Sequence, residues 1–65
     1  MQYNKLDNLI NADANIKVSN LVTNAVYYYG RSGEMTEPEF RMIKKMKVVS
    51  IVSKSEYIDI SVIIK

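Results

Sequence analysis

The sequence predicts a small α+β domain, with two or three short helices followed by a C-terminal β-hairpin. Three observations predict this class. Apolar residues recur at helical spacing in three segments before residue 48, whereas apolar and polar residues alternate through residues 57–64. The chain has 65 residues, of which 48% are hydrophobic, so it should fold rather than stay disordered. We therefore treat residues 1–65 as a single domain, whose core must be small because so short a chain buries little of its surface.

The first predicted helix covers about residues 4–13. Leu6, Leu9 and Ile10 lie three and four positions apart, which places them on one helical stripe. Asn4 can cap this helix, because an asparagine side chain accepts hydrogen bonds from the free N–H groups of a first turn.

The second predicted helix covers about residues 18–29, and Gly30 follows it where a glycine commonly ends a helix. We favour a helix here because the 3.6-residue period persists for three turns. The composition argues against it, since Val, Thr, Asn and Tyr form helices poorly. A strand through residues 26–29 is the alternative, and the sequence leaves that choice open. The apolar stripe consists of Val18, Leu21, Val22, Ala25, Val26 and Tyr29.

The third predicted helix covers about residues 36–47. Thr36 stands three residues before Glu39, which is the spacing of a capping box, and Pro38 is tolerated in a first helical turn. The carboxylates of Glu37 and Glu39 also suit the positive end of the helix dipole.

The predicted hairpin covers about residues 48–64. Its second strand has one apolar face, made by Ile58, Ile60, Val62 and Ile64. A two-stranded sheet alone is marginal in water, and a strand near the end of the chain is expected to leave an unpaired edge. We therefore expect the sheet to be extended by dimerisation, with a homodimer forming through the C-terminal strand.

The composition narrows the possible chemistry. The chain contains no Cys and no His, which excludes disulfides, zinc sites built on those residues and histidine-based catalysis. The carboxylates show no pair that would converge on a metal or a substrate. We therefore expect no enzyme, no metal site and no cofactor. The lack of cysteine fits a cytoplasmic location. We expect no signal peptide and no membrane span, because no apolar run is long enough.

Two groups of residues are candidates for binding. The first is aromatic and apolar, and would contact a partner protein, since Tyr and Arg are common at interface hot spots. The second is a basic patch on the third helix, which could contact nucleic acid or only offset the helix dipole. The first group consists of Tyr27, Tyr28, Arg31, Tyr57 and Ile63. The second group consists of Arg41, Lys44, Lys45 and Lys47.

These features favour a small protein-interaction module, which would act as a regulator or inhibitor by occupying an unidentified partner through exposed tyrosines and the terminal strand. Phage and other mobile elements encode such short regulators and are a candidate source. The alternative is a winged helix-turn-helix DNA-binding regulator, because three helices and a hairpin follow in that order. We do not favour nucleic acid, since the net charge is only +2 and DNA binding usually needs a denser basic surface.

Overall fold

The computed structural model describes residues 1–64. It contains two short helices and four strands, with the helices and strands interleaved along the chain. Within these residues the strands form one mixed sheet in the order β2-β1-β4-β3. The outer pairs, β1/β2 and β3/β4, are antiparallel, and the central pair, β1/β4, is parallel. The elements are α1 (Tyr3–Asp7), β1 (Asn15–Asn20), β2 (Val26–Arg31), a 3₁₀ turn (Ser32–Glu34), α2 (Glu37–Ile43), β3 (Lys47–Ser53) and β4 (Ile58–Ile63).

The predicted helix over residues 18–29 is wrong, and the strand alternative for residues 26–29 is right. β1 and β2 occupy this region and are joined by a turn that Asn20 and Asn24 stabilise. The Oδ1 atom of Asn20 accepts hydrogen bonds from the backbone N–H groups of Val22 and Thr23. Asn24 has φ 64°, a left-handed conformation that asparagine tolerates better than most residues. Strand propensity and turn chemistry therefore outweigh the helical spacing.

The prediction of helices followed by a separate C-terminal hairpin is also wrong. β3 and β4 do pair with each other, but β4 pairs with β1 on its other side, so the terminal strand lies inside the sheet. One chain supplies all four strands, whereas the predicted two-stranded hairpin needed a second copy to extend its sheet. The winged-helix alternative loses its basis, because its second helix is replaced by β1 and β2.

The helices are shorter than predicted. α1 ends at Asp7 rather than near residue 13, and Leu9 is 76% exposed. α2 ends at Ile43 rather than near residue 47. Its predicted capping box is confirmed, since the Glu39 N–H bonds the Thr36 side chain and the Thr36 N–H donates to the Glu39 carboxylate at 2.9 Å. Within residues 1–64, no helix is both long and apolar enough to cross a bilayer.

The core lies between the helices and one side of the sheet, which we call the covered face. Tyr3 and Leu6 from α1 and Ile43 from α2 are buried there. Their partners in the sheet are the buried residues Ile16, Val18, Tyr28, Ile60 and Val62. The opposite side of the sheet, which we call the open face, contains no fully buried residue.

Candidate functional site

The open face is defined by the register of the strands, because residues paired across neighbouring strands point to the same side. The inner strands contribute Asn15, Lys17, Ser19, Asp59, Ser61 and Ile63. The edge strands contribute Val26, Tyr29, Arg31, Lys47, Ser50 and Val52. The centre of this face is thus polar and charged, and its aliphatic residues lie toward the margins.

An aromatic pair is the most distinctive feature of the open face. The rings of Tyr29 and Tyr57 have their centroids 5.4 Å apart with planes at 53°. Tyr29 belongs to β2 and Tyr57 immediately precedes β4, so their side chains meet above the intervening strand β1. Tyr29 is 60% exposed, which leaves much of its ring available to a ligand.

Two cations lie beside Tyr29 on the open face. Lys17 is the direct neighbour of Tyr29 in the β1/β2 register, and Arg31 lies two residues beyond Tyr29 on the same side. Lys47 on β3 is a third cation but lies at the far end of the face, opposite Ile63, and Asp59 supplies the single carboxylate of the strand residues on this face. Within residues 1–64 no side-chain ion pair neutralises these groups, since the one that exists joins Arg41 to Glu37.

The structure separates the aromatic residues that the sequence analysis grouped together. Arg31, Tyr57 and Ile63 lie on the open face as described. Tyr28 was expected to be exposed, and this is wrong, because it is buried on the covered face and its hydroxyl donates to the carbonyl of Arg31. Tyr27 is half-buried, and its hydroxyl accepts a hydrogen bond of 3.0 Å from Nδ2 of Asn20.

Sequence reasoning missed Tyr29 and Lys17. Tyr29 lay on the apolar stripe of the predicted second helix and was therefore assigned to the core. The alternation of a strand over residues 26–31 would have placed Tyr29 and Arg31 on one side and Tyr28 on the other.

The four basic residues of the predicted patch do not share one surface. Arg41 is exposed on α2 and binds Glu37 at 2.6 Å. Lys44 caps the end of α2, and Lys45 follows it in the connection to β3. Lys47 points to the open face, on the other side of the sheet from α2. Their separation weakens the interpretation of these residues as one nucleic-acid contact.

The second candidate site is the outer edge of β3. Near its start this edge is covered by the first two residues, since the Val48 N–H donates to the Met1 carbonyl at 2.8 Å and Gln2 forms a bridge with Lys47. Within residues 1–64, no backbone partner lies on the outer side of residues 49–53. Val49, Ile51 and Val52 are exposed in this stretch.

The edge of β2 is less regular than that of β3. A bulge interrupts the β1/β2 register next to Tyr27, and Gly30 has φ 154°. Bulges discourage the addition of further strands. In β3 the bulge falls between Val48 and Ser50, and the register from Ser50 to Ser53 is unbroken. β3 therefore offers the better template for another strand.

A cleft of about 380 Å³ lies beside α2, and the carboxylates of Asp7 and Glu37 are among the groups that line it. Asp7 accepts hydrogen bonds there from Tyr3 (3.2 Å) and Ser32 (3.5 Å), while Glu37 is paired with Arg41. Both carboxylates therefore already have partners within the protein.

Burial raises the pKa of the Tyr3 phenol, and the adjacent Asp7 carboxylate raises it further.

Within residues 1–64 no group of three or more metal-binding side chains comes together. No protein-family model matches the chain, and searches of curated proteins and of solved structures likewise found no match.

Proposed function

We propose that this chain is a small, non-enzymatic interaction module whose β3 edge accepts a further strand, and that a second copy of the chain is the occupant. The proposal rests on residues 49–53 of β3, whose outer backbone groups have no partner within residues 1–64. A free edge with exposed aliphatic side chains is a template for strand addition, and two identical copies can meet antiparallel across a two-fold axis.

The free stretch is complementary to itself. An antiparallel pairing centred on Ile51 places Ile51 opposite its own copy and Ser50 opposite Val52. These apolar and small polar residues bring no charge into the centre of the junction. The resulting eight-stranded sheet would have only the two less regular β2 edges exposed, so the pairing would remove the exposed apolar edges of both copies.

The two open faces would lie on the same side of such a sheet, because antiparallel strands in register keep their side-chain directions. A dimer would then present the open faces of both copies as one broad, continuous surface. This proposal keeps the dimer predicted from sequence but moves its interface from β4, whose two sides are both paired, to β3.

The test is the substitution Ile51→Lys, which would place two like charges directly opposite each other at the two-fold axis and so weaken the pairing. The molecular mass is measured by light scattering after size-exclusion chromatography over a range of concentrations. We expect the wild type to approach the mass of a dimer and Ile51→Lys to remain a monomer.

Val26→Lys is the matched control, because Val26 lies on the other edge strand and is 52% exposed against 51% for Ile51. It should leave the dimer intact. Mixing Ile51→Lys with Ile51→Glu should restore a dimer through opposite charges. A wild-type chain that stays monomeric at high concentration, or an equal effect of the two lysine variants, would contradict the proposal.

A further inference from the structure

The open face has aromatic rings at a position where a flat ligand can reach them. Tyr29 and Tyr57 meet above β1 with ring centroids 5.4 Å apart, and no helix covers this side of the sheet. Because the rings are tilted at 53° rather than stacked on each other, neither ring fully hides the face of the other. Each can therefore stack on an additional planar group.

The charges beside the rings are complementary to an anionic chain. Lys17 and Arg31 flank Tyr29 on the open face, Lys47 lies further along the same surface, and Asp59 is the carboxylate that opposes them. Hydrogen-bonding side chains fill the positions between these charges: Asn15, Ser19, Ser50 and Ser61. The surface thus combines aromatic stacking positions, cations and small polar groups.

We propose that the open face binds single-stranded nucleic acid, with bases stacked on Tyr29 and Tyr57 and phosphates bound by Lys17 and Arg31. Aromatic side chains that bind bases, together with cations that bind the backbone, are the features by which proteins hold single strands. This site lies within one copy of the chain and does not depend on the proposed dimer.

A duplex fits this surface less well than a single strand. The bases of a duplex are stacked on one another, so their flat faces cannot reach Tyr29 and Tyr57. Reading a duplex through its major groove requires a protruding helix or ribbon, whereas both helices pack against the covered face.

A protein partner also fits the centre of this surface less well. The core of a protein interface is depleted in charged residues, but Lys17 and Asp59 lie side by side at the middle of the open face. Val26 and Val52 lie on the two edge strands, too far apart to form one apolar patch.

The test is fluorescence anisotropy of labelled oligothymidylate and oligouridylate of about ten nucleotides, within the range that one single-strand-binding fold covers. The full 65-residue chain is titrated at low salt and again at rising salt. We expect the single strands to bind more tightly than a duplex of the same length. The ratio of the affinities for oligothymidylate and oligouridylate shows whether the site prefers DNA or RNA.

The deciding variants separate stacking from charge. Tyr29→Ala and Tyr57→Ala should each weaken binding by about 10-fold or more, since each removes one stacked base. Tyr29→Phe should bind nearly as the wild type does, because stacking does not need the hydroxyl. Lys17→Ala should reduce the slope of log affinity against log salt by about one unit.

Lys45→Ala is the matched charge control, because Lys45 is an exposed lysine outside the open face. It should leave both affinity and salt slope close to those of the wild type. Three results would overturn the proposal: no binding at low salt, tighter binding to duplex, or equal losses in Lys45→Ala and Lys17→Ala without any loss in Tyr29→Ala. Because Ile51→Lys leaves the Tyr29 and Tyr57 pair in place, failure of the dimer and failure of this site are distinguishable.

Discussion

At the scale of single residues, Gly30 allows Tyr28 to pack against its own strand. Gly30 has φ 154°, and a Cβ atom there would lie 3.1 Å from the Tyr28 hydroxyl oxygen. The Tyr28 ring therefore lies over the space that a side chain at residue 30 would fill, and its hydroxyl donates to the carbonyl of Arg31. An aromatic ring that covers a strand glycine restores apolar contact that the glycine lacks.

We expect Gly30→Ala to destabilise the protein by about 1–3 kcal/mol, since alanine must adopt a rare backbone conformation there. Urea denaturation followed by circular dichroism measures the change in the free energy of unfolding. Asn24→Gly is the control, because glycine adopts positive φ more readily than asparagine and the fold should keep or gain stability. A Gly30→Ala variant as stable as the wild type would show that β2 relaxes without strain.

The buried phenol of Tyr3 makes stability depend on alkaline pH. Burial and the Asp7 carboxylate raise its pKa in the folded protein, so the neutral phenol is favoured in the folded state. Its contribution is fully present below the unfolded value of about 10 and is lost as pH rises from there toward the folded pKa. Burial likewise raises the pKa of Tyr28, which adds an effect of the same sign.

We expect the free energy of unfolding to fall above about pH 10, with Tyr3 contributing a slope of about 1.4 kcal/mol per pH unit. Urea denaturation at a series of alkaline pH values measures this slope. Tyr3→Phe removes the titrating group and should give a shallower slope than the wild type. If the two curves are parallel above pH 10, Tyr3 titrates in the folded protein as it does in the unfolded chain.

At the scale of elements, the sequence predicted best the segments with strong local signals. The capping box of Thr36 and Glu39 marks the start of α2 correctly, because both hydrogen bonds form within four consecutive residues. The alternation over residues 58–63 likewise matches β4. In these segments local chemistry and tertiary packing favour the same structure.

The prediction was wrong where the residues of a turn are apolar. Leu21 and Val22 are exposed in the β1–β2 turn, yet they supplied the middle of an apparent helical stripe over residues 18–29. The β-branched and aromatic residues of this segment favour strands, and Asn20 and Asn24 are typical turn residues. The strand and turn propensities were therefore readable in the sequence, but the helical spacing of the apolar residues was given more weight.

That one error also decided how much of the candidate site could be found. Arg31, Tyr57 and Ile63 were identified from residue type and lie on the open face, whereas Tyr29 was assigned to a core. Successive side chains of a strand point to opposite faces of the sheet, whereas successive side chains of a helix do not alternate in this way. Assigning the wrong element therefore exchanged the roles of Tyr28 and Tyr29. The predicted hairpin had a free edge on each strand, and the sequence could not show that only the β3 edge stays free, because β4 is covered by β1, a pairing between distant segments.

At the scale of the whole molecule, the parallel pairing of β1 with β4 joins two local units. Each antiparallel pair can form early from neighbouring residues, since a hairpin closes in about 1–10 μs. The junction between them is different, because Ile16 pairs with Ile58 across 42 positions (58 − 16) of chain. Ordering that intervening chain costs entropy before the central contacts can form.

The parallel junction should therefore set the speed at which the protein folds, as distant contacts slow folding in general. Ile60→Val trims a buried side chain in β4, and we expect most of its effect in stopped-flow experiments to appear as slower folding. Thr36→Ala, which weakens the local start of α2, should instead mainly accelerate unfolding. An unchanged folding rate in Ile60→Val would mean that the two hairpins join only after the barrier, and the rate-limiting event would then lie within one of them.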